Sequence, residues 1–292
     1  MAYEATVKRL DVRRILCPID FSSSSGSALV TAAAMARAHD AELRALHVVP
    51  AEAGAVLESH ERARLMALLR QQLEDTGLGP RQCGAAVRFG DPGMEILRFA
   101  RTTGAHVIVM GAVGADCPER PAGPVTSVVA ARSECPVLTV PRGSAGAPDA
   151  SGVFTRIVCG VDLAPSSAGV LQQALSLGWE TNGQVTCVSV QPDPPGAADV
   201  RNRLLAWLPP GAEHWCALDV VVRPGAAGAE IVRVADAVDA DLIVIGAPRR
   251  WTSTAHAVLG NARRPVLVTH DVRPLPRPMP GVAREATAGA LR

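Results

Sequence analysis

The sequence contains almost no lysine, since Lys8 is the single lysine among 29 basic residues. The two halves of the chain therefore lack the lysine that a Schiff-base enzyme, a lysine general base or a phosphate-binding P-loop requires. An excess of charge of one sign is also absent, because 28 acidic residues leave a net charge of only +1. Without a basic field, binding to nucleic acid or to an anionic membrane surface is not expected.

Long apolar runs and paired cysteines are missing as well. No run approaches the about 20 apolar residues that cross a bilayer, and no basic N-terminal region precedes an apolar stretch. The seven cysteines include no C-x-x-C pair, which favours a cytoplasmic protein with free thiols. Cys17, Cys159 and Cys187 lie inside apolar runs, so we expect them to be buried as small apolar side chains.

An internal repeat determines the domain organisation. Residues 14–20 (RILCPID) align with residues 156–162 (RIVCGVD) at a shift of 142 positions, which later falls to 135 and then to 129. A chain of 292 residues accommodates two such copies, because single domains usually hold about 100 to 150 residues. We expect a first copy at 1–142 and a second copy at 154–272.

The segments outside the two copies differ in composition. Residues 143–153 are rich in glycine, alanine and serine, which predicts a linker. Residues 273–292 contain four prolines and little apolar content, which predicts a disordered tail.

Within each copy, short apolar runs alternate with helical stripes. The predicted strands of the first copy are 14–19, 42–49, 85–88, 106–110 and 137–140. The predicted helices are 28–38, 58–74, 93–102 and 125–133. Strands that are apolar on both faces and separated by helices predict an α/β fold, here two tandem doubly wound, Rossmann-like parallel sheets of five strands each.

Ligands of such sheets bind beyond the carboxyl ends of the strands, where the strand order reverses. Asp20 and Asp162 each follow a first strand and precede a helix. Each carboxylate could cap the helix or accept a hydrogen bond from a ligand, and the spacing does not distinguish these roles. After the fourth strand, Gly111, Gly114 and Gly123 would let backbone amides approach an anion.

Four segments of the first copy together resemble the universal stress protein family. They are 15–22 (ILCPIDFS), 46–49 (LHVV), 105–114 (AHVIVMGAVG) and 135–140 (CPVLTV). The resemblance extends over about 12–142 and 154–270. It implies a strand order of 3-2-1-4-5, two copies that pair as a pseudo-dimer through their last strands, and ATP binding in the better-preserved members.

The ATP-binding members carry an Asp after strand 1, a Val near the end of strand 2 and a Gly-x2-Gly-x9-Gly-(Ser/Thr) loop after strand 4. The matching residues of the first copy are Asp20, Val48, Gly111, Gly114 and Gly123. Only eight residues separate Gly114 from Gly123, and Pro124 stands at the hydroxyl position. Proline offers neither a hydroxyl nor an amide proton, and Asp116 and Glu119 add negative charge that Arg120 only partly offsets. These departures predict weak phosphate binding.

The second copy departs further from the pattern. It keeps Asp162, Val190 and Gly246, but Arg249 and Thr252 stand at the second and third glycine positions. Ser253 preserves the hydroxyl. Arg249 and Arg250 could pair with a small anion, although a solvated basic turn is the favoured explanation.

Three functions remain to be compared. The first is a non-enzymatic stress-response protein that binds an adenine nucleotide, ATP, weakly or in the first copy only, and acts through protein partners. The second is a scaffold that has lost the nucleotide and works through protein contacts. For both of these functions the sequence leaves open the identity of the protein partner and the formation of a larger homo-oligomer. The third is an enzyme of the related nucleotide-binding superfamily, which the absence of a Ser-Gly-Gly-x-Asp-Ser loop disfavours. The seven histidines form no His-x-x-x-His motif, so metal chemistry has no support.

Overall fold

The structure is a computed structural model that describes residues 12–50, 59–114, 122–144, 152–164, 167–191, 196–206, 216–246 and 252–269. The predicted tail at 273–292 and most of the predicted linker lie outside these residues. The elements of the first copy are β1 (Arg14–Pro18), α1 (Ser23–His39), β2 (Glu42–Val49), α2 (Ser59–Asp75), β3 (Cys83–Phe89), α3 (Pro92–Thr103), β4 (Val107–Gly111), α4 (Pro124–Arg132) and β5 (Val137–Val140).

The second copy repeats this succession of elements. They are β6 (Arg156–Gly160), α5 (Ser167–Thr181), β7 (Gln184–Val190), α6 (Ala197–Leu205), β8 (Ala217–Arg223), α7 (Ala227–Ala237), β9 (Leu242–Gly246), α8 (Ser253–Asn261) and β10 (Val266–Thr269).

The ten strands form one sheet in the order β3-β2-β1-β4-β5-β10-β9-β6-β7-β8. Each half therefore has the order 3-2-1-4-5, which confirms the doubly wound α/β fold expected for both copies. Neighbouring strands are parallel within each half, whereas β5 and β10 are antiparallel.

The antiparallel pair joins the two copies through their last strands. Leu138 faces Leu267 in the register, and Thr139 faces Val266. The Oγ1 of Thr139 adds a hydrogen bond to the carbonyl of Val266 at 3.3 Å. Pairing of the copies through the last strands, expected from the family resemblance, is thus observed.

The chain that enters the second copy also packs on the first. Gly152 has a φ of +77°, and a Cβ built on it would lie 2.2 Å from the carbonyl oxygen of Ala34 in α1. A side chain at this position would clash with the helix, which explains the glycine. Phe154, two residues later, is buried in the cluster that also contains Val12 and Met35.

Two apolar clusters cover the two faces of the sheet, and each contains residues of both copies. One lies beneath α1, α2 and α5, with Leu43, Leu138 and Leu175 among its buried members. The other lies beneath α3, α4, α7 and α8 and includes Ile108 and Ile243. The central strands are buried on both faces, which agrees with their continuous apolar sequences, whereas the edge strands β3 and β8 are partly exposed.

The predicted helices differ from the observed ones mainly at the start of α1. This helix was expected from residue 28 but begins at Ser23, because the Oγ of Ser22 accepts a hydrogen bond from the amide of Ser25 and caps it. Strand β3 is also longer than predicted, since it pairs with β2 over its whole length. Among the described residues, no helix combines the length and apolar character needed to span a membrane.

Candidate functional site

The candidate site lies at the carboxyl edge of the first half-sheet, between β1 and β4. These two strands are neighbours, and from them the chain winds outward in opposite directions, so the strand order reverses here. Asp20 lies two residues beyond β1, and Gly111 is the last residue of β4. The fold therefore brings the acidic candidate and the glycine-rich segment to the position where doubly wound sheets bind ligands.

Asp20 is exposed and organises the turn that leads into α1. Its Oδ1 accepts a hydrogen bond from the backbone amide of Ser22 at 3.0 Å. The helix cap itself is Ser22, so the capping role that the sequence left open for Asp20 belongs to its neighbour. The carboxylate of Asp20 shapes the turn one step earlier, as aspartate does in an Asx-turn.

The residue after this aspartate has a left-handed backbone in both copies. Phe21 has a φ of +63° and Leu163 has a φ of +59°. Such values are uncommon for residues other than glycine and often mark functional turns. The shared conformation indicates that the turn after β1 and the turn after β6 are built in the same way.

His47 of β2 contacts the residues immediately before and after Asp20, Ile19 and Phe21. It was not a candidate in the sequence analysis. Its Nδ1 lies 2.7 Å from the carbonyl oxygen of Ile19, and because a carbonyl only accepts, Nδ1 carries the proton. Its ring centroid lies 4.7 Å from that of Phe21. In the second copy, Ser189 corresponds to His47 and Leu163 corresponds to Phe21. A comparison of the two copies at these positions is the sequence signal that could have identified His47.

Two of the three candidate glycines lie against the aspartate or against each other. A Cβ built on Gly114 would lie 3.1 Å from Oδ2 of Asp20, and one built on Gly123 would lie 3.4 Å from the amide nitrogen of Gly114. Asp20, Gly114 and Gly123 therefore form one cluster. Side chains on either glycine would crowd the approach to the carboxylate.

Gly111 has a separate reason to be glycine. A Cβ at this position would lie 2.6 Å from the Oγ of Ser24 and 2.9 Å from its carbonyl carbon. The start of α1 thus packs directly on the end of β4, and Gly111 permits this close approach. The geometry explains this glycine by packing, without a ligand.

Val48 lies in β2 near this edge, and its side chain is part of the core. The side chain is 9% exposed and belongs to the cluster with Leu16 and Met110. The side chain of Val48 is therefore not available to a ligand beyond β2.

The second copy brings Asp162 to the equivalent place but engages it differently. Its Oδ1 accepts hydrogen bonds from the amide of Ala164 at 2.9 Å and from the Oγ of Ser167. The amide of Asp162 in turn donates to the same Oγ at 3.2 Å. Thr252 caps α8 by accepting from the amide of Ala255, which is a structural role.

Several loop candidates lie outside the described residues. These are Asp116, Glu119 and Arg120 of the first copy and Arg249 and Arg250 of the second. Val190 is half-buried at the end of β7. Gly246 ends β9, where a Cβ would lie 2.8 Å from Cγ2 of Val170 in α5.

The cysteines that the sequence analysis assigned to the core are buried. Cys17, Cys159 and Cys187 have no exposed surface, and burial raises the pKa of the Cys17 thiol far above its usual range. A thiol that keeps its proton is a poor nucleophile. Within the described ranges, no group of three His, Cys, Asp or Glu residues could hold a metal ion.

A cavity of about 160 Å³ lies at the opposite, amino edge of the first half-sheet, between the ends of α3 and α4. Its lining includes Arg101, Ala105 and Cys135. In the second copy the corresponding space holds the side chain of Arg264, which pairs with Asp236 and donates to the carbonyl of Ala240. The cavity therefore reflects a shorter side chain at position 135 and is not part of the candidate site.

The fold defines a doubly wound α/β protein, and the candidate site lies at its topological switch point. The family model of the universal stress proteins matches residues 11–141 and 210–270. These segments include most of the chain, and the protein belongs to the universal stress protein family.

Solved structures have the same fold over nearly the whole chain. A universal stress protein from Archaeoglobus fulgidus DSM 4304 is 19% identical, with a TM-score of 0.70, 90% of this chain covered and 97% of that chain. A functionally unknown protein from Pseudomonas aeruginosa PAO1 is 18% identical, with a TM-score of 0.66 and coverages of 90% and 94%. No curated protein matches the sequence.

Proposed function

We propose that this chain is a non-enzymatic, cytoplasmic stress-response protein that binds an adenine nucleotide in its first copy and acts through protein partners. The observation that carries the proposal is the meeting of Asp20 with Gly114 and Gly123 between β1 and β4. An ionised carboxylate can accept hydrogen bonds from ribose hydroxyls, and glycines let the backbone approach a ligand closely. Membership of the universal stress protein family supports the same ligand class.

The first copy is proposed as the binding copy because it keeps Gly114 and Gly123, whereas Arg249 and Thr252 stand at these two glycine positions in the second copy. Oδ1 of Asp162 accepts from two donors of its own turn, the Ala164 amide and the Ser167 hydroxyl. A ligand hydroxyl would have to compete with these internal hydrogen bonds, each worth about 1 kcal/mol net and more to a charged group. Oδ1 of Asp20 accepts from the amide of Ser22, and Oδ2 is directed towards Gly114.

Calorimetric titration of the purified chain with ATP tests this proposal, with GTP as the control for the base. We expect a stoichiometry of one nucleotide per chain and tighter binding of ATP than of GTP. Mass spectrometry of the denatured protein as purified checks for an adenine nucleotide that stays bound. No binding, or two equivalent sites per chain, would contradict the proposal.

A scaffold without a nucleotide is the second candidate, and the start of α4 favours it. Pro124 is the first residue of this helix and has no amide proton to donate to a phosphate. The same titration separates the two functions, because a scaffold would bind neither nucleotide. Incubation with ATP, followed by analysis of the products, tests the non-enzymatic part, for which we expect no turnover.

A further inference from the structure

The cavity at the amino edge of the first copy corresponds to a space that the second copy fills with its own side chain. In the second copy the guanidinium of Arg264 donates to the carbonyl of Ala240. It also pairs with Asp236 at 3.4 Å and with Asp239 at 3.1 Å. The first copy has the shorter Cys135 at the position of Arg264, and a cavity of about 160 Å³ is left between the ends of α3 and α4.

The backbone beside this space is the same in both copies. The amide of Ala105 donates to the carbonyl five residues earlier at 2.8 Å, and the corresponding amide of Ala240 does the same at 2.8 Å. The residues before them have left-handed backbones, with a φ of +60° at Gly104 and of +51° at Asp239. A space with walls of this shape holds a planar charged group in the second copy, so it can hold one from a ligand in the first.

The charge at this corner differs between the copies. Three aspartates lie here in the second copy, and their positions carry no acidic residue in the first. The aspartates are Asp236, Asp239 and Asp241, and the corresponding residues are Arg101, Gly104 and His106. The arginine that begins the first strand is present in both copies, as Arg14 and Arg156. The first copy has therefore gained positive charge at this edge.

Three arginine side chains lie around the cavity of the first copy. Arg101 and Arg132 line it, and Nε of Arg14 donates at 2.7 Å to the carbonyl of Gly104, which is also part of the lining. Glu134 pairs with Arg101 at 2.9 Å, and each of the two helix ends carries about −0.5 of a charge. The three guanidinium groups exceed these negative charges, so the rim attracts an anion.

The walls favour an anion with an apolar body. They include the side chains of Leu97, Ala100 and Cys135. The cavity volume is close to the about 150 Å³ of an engineered protein cavity that binds benzene. At the rim, a guanidinium nitrogen of Arg132 donates to Sδ of Met94 at 3.4 Å, and a carboxylate would be a stronger acceptor than this thioether.

From these observations we propose that the cavity between α3 and α4 binds a small carboxylic acid. Its apolar body lies against Leu97 and Ala100, and its carboxylate pairs with Arg101 and Arg132. This site is at the edge of the half-sheet opposite to Asp20, and it does not depend on the proposed nucleotide binding.

Calorimetric titrations with benzoate, benzamide and benzamidinium test the charge preference, because the three compounds have nearly the same shape. We expect one benzoate site per chain and binding about tenfold or more tighter than that of the other two, since an arginine forms strong paired hydrogen bonds with a carboxylate. Equal affinities, tighter binding of benzamidinium, or no saturable binding of benzoate would overturn the proposal.

Two further compounds test the ligand class. Inorganic phosphate has the charge without the apolar body, and glutamate blocked at both ends as acetyl and amide presents a carboxylate on a peptide backbone that the cavity cannot enclose. Both should bind more weakly than benzoate. Equal affinity for phosphate would show a simple anion site, and equal affinity for the blocked glutamate would show a site for an acidic side chain. Either result would overturn the assignment of a small carboxylic acid.

The cysteines of the first copy locate the bound compound. Cys135 lines the cavity, whereas Cys83 lies in β3, and both are free and half-buried. Benzoate should slow the alkylation of Cys135 by iodoacetamide and leave that of Cys83 unchanged, as measured by mass spectrometry of the digested protein. Equal rates for Cys135 with and without benzoate would show that the compound binds elsewhere.

Variants at the rim test the role of the arginines. Arg132→Gln should weaken benzoate binding about fivefold or more, because it removes a charged partner of the carboxylate. Arg98→Gln is the matched control, since Arg98 is also on α3–α4 surface, pairs with Glu95 and does not line the cavity. Cys135→Leu fills the cavity and should abolish binding. Unchanged affinity in Arg132→Gln, whose exposed position leaves the fold intact, would overturn the proposal.

Discussion

Ser167 donates a hydrogen bond from its Oγ to the carboxylate of Asp162 and thereby ties the turn after β6 to the start of α5. The corresponding residue of the first copy, Ser25, directs its Oγ to the carbonyl of Ser22 at 3.0 Å. The same pair of residue types is thus used differently in the two copies. Both aspartates accept a backbone amide of their own turn, and the carboxylate of Asp162 also accepts the hydroxyl of Ser167.

This difference predicts unequal effects of two matched substitutions. Asp20→Ala should weaken the binding of adenosine and of AMP about tenfold or more, because hydrogen bonds to a charged group contribute about 1.5 to 3 kcal/mol. Asp162→Ala should leave nucleotide affinity unchanged, although it removes the partner of Ser167. Calorimetry on both variants measures this, and loss of binding only in Asp162→Ala would place the site in the second copy.

The contact between the two copies predicts the behaviour of Leu138→Ala. Leu138 is 1% exposed and faces Leu267 across the antiparallel strand pair. Its truncation should lower the free energy of unfolding by about 2 to 5 kcal/mol, as for other buried leucines. Val30→Ala is the control, since Val30 is 64% exposed and should change stability by less than about 0.5 kcal/mol. Equal losses of unfolding free energy in the two variants, measured by urea unfolding, would contradict a core that the two copies share.

Removal of residues 273–292 should leave the melting temperature nearly unchanged. The segment offers little apolar area for burial, and chain ends of this composition contribute little to stability. Differential scanning calorimetry of the shortened chain tests the point. A fall of several degrees would mean that the segment packs on one of the copies.

Alkaline pH should destabilise the protein through its buried thiols. Burial raises the pKa of the Cys216 thiol to about 11, with the nearby Cys187 as a smaller cause. The pKa of a cysteine thiol in an unfolded chain is about 8.5. Between these values the unfolded chain releases a proton that the folded chain keeps, so stability is lost as the pH rises through this range. Urea unfolding at pH 7.5, 9 and 10 should show the decline, and Cys216→Ala should make it shallower.

Much of the fold was predictable because the repeat aligns strands with strands. Residues 42–49 and 137–140 were predicted as strands with the bounds that the structure shows. The start of α1 was missed because residues 22–25 are all serine, and propensity does not reveal which serine becomes the cap. That choice depends on the hydrogen bond from the amide of Ser25 to Ser22.

The site was predictable only in part, for a similar reason. The motif placed Asp20 and the glycines at one edge, but it did not separate Gly111, which packs on Ser24, from Gly114, which lies at the carboxylate. The hydrogen bond from Thr126 to Gly111 joins residues 15 positions apart. Contacts of this kind depend on the packing of a helix on a strand, which local sequence patterns do not contain.

His47 is predicted to act as a positioning residue for Asp20. It holds the carbonyl of Ile19 by a hydrogen bond of 2.7 Å and packs its ring on Phe21, so it restrains the residues on both sides of the aspartate. His47→Leu removes the donor and should weaken nucleotide binding about threefold to tenfold, in line with about 0.5 to 1.5 kcal/mol for one hydrogen bond. His47→Asn retains a side-chain N–H and should recover most of the affinity.

A double-mutant cycle with Asp20→Ala separates positioning from general destabilisation. If His47 acts through the carboxylate, His47→Leu should weaken binding in the parent chain but change affinity less than twofold once Asp20 is alanine. The melting temperature should fall by the same amount in both backgrounds, because the hydrogen bond to Ile19 is lost in each. An equal loss of affinity in the two backgrounds would show that His47 affects the ligand independently of Asp20.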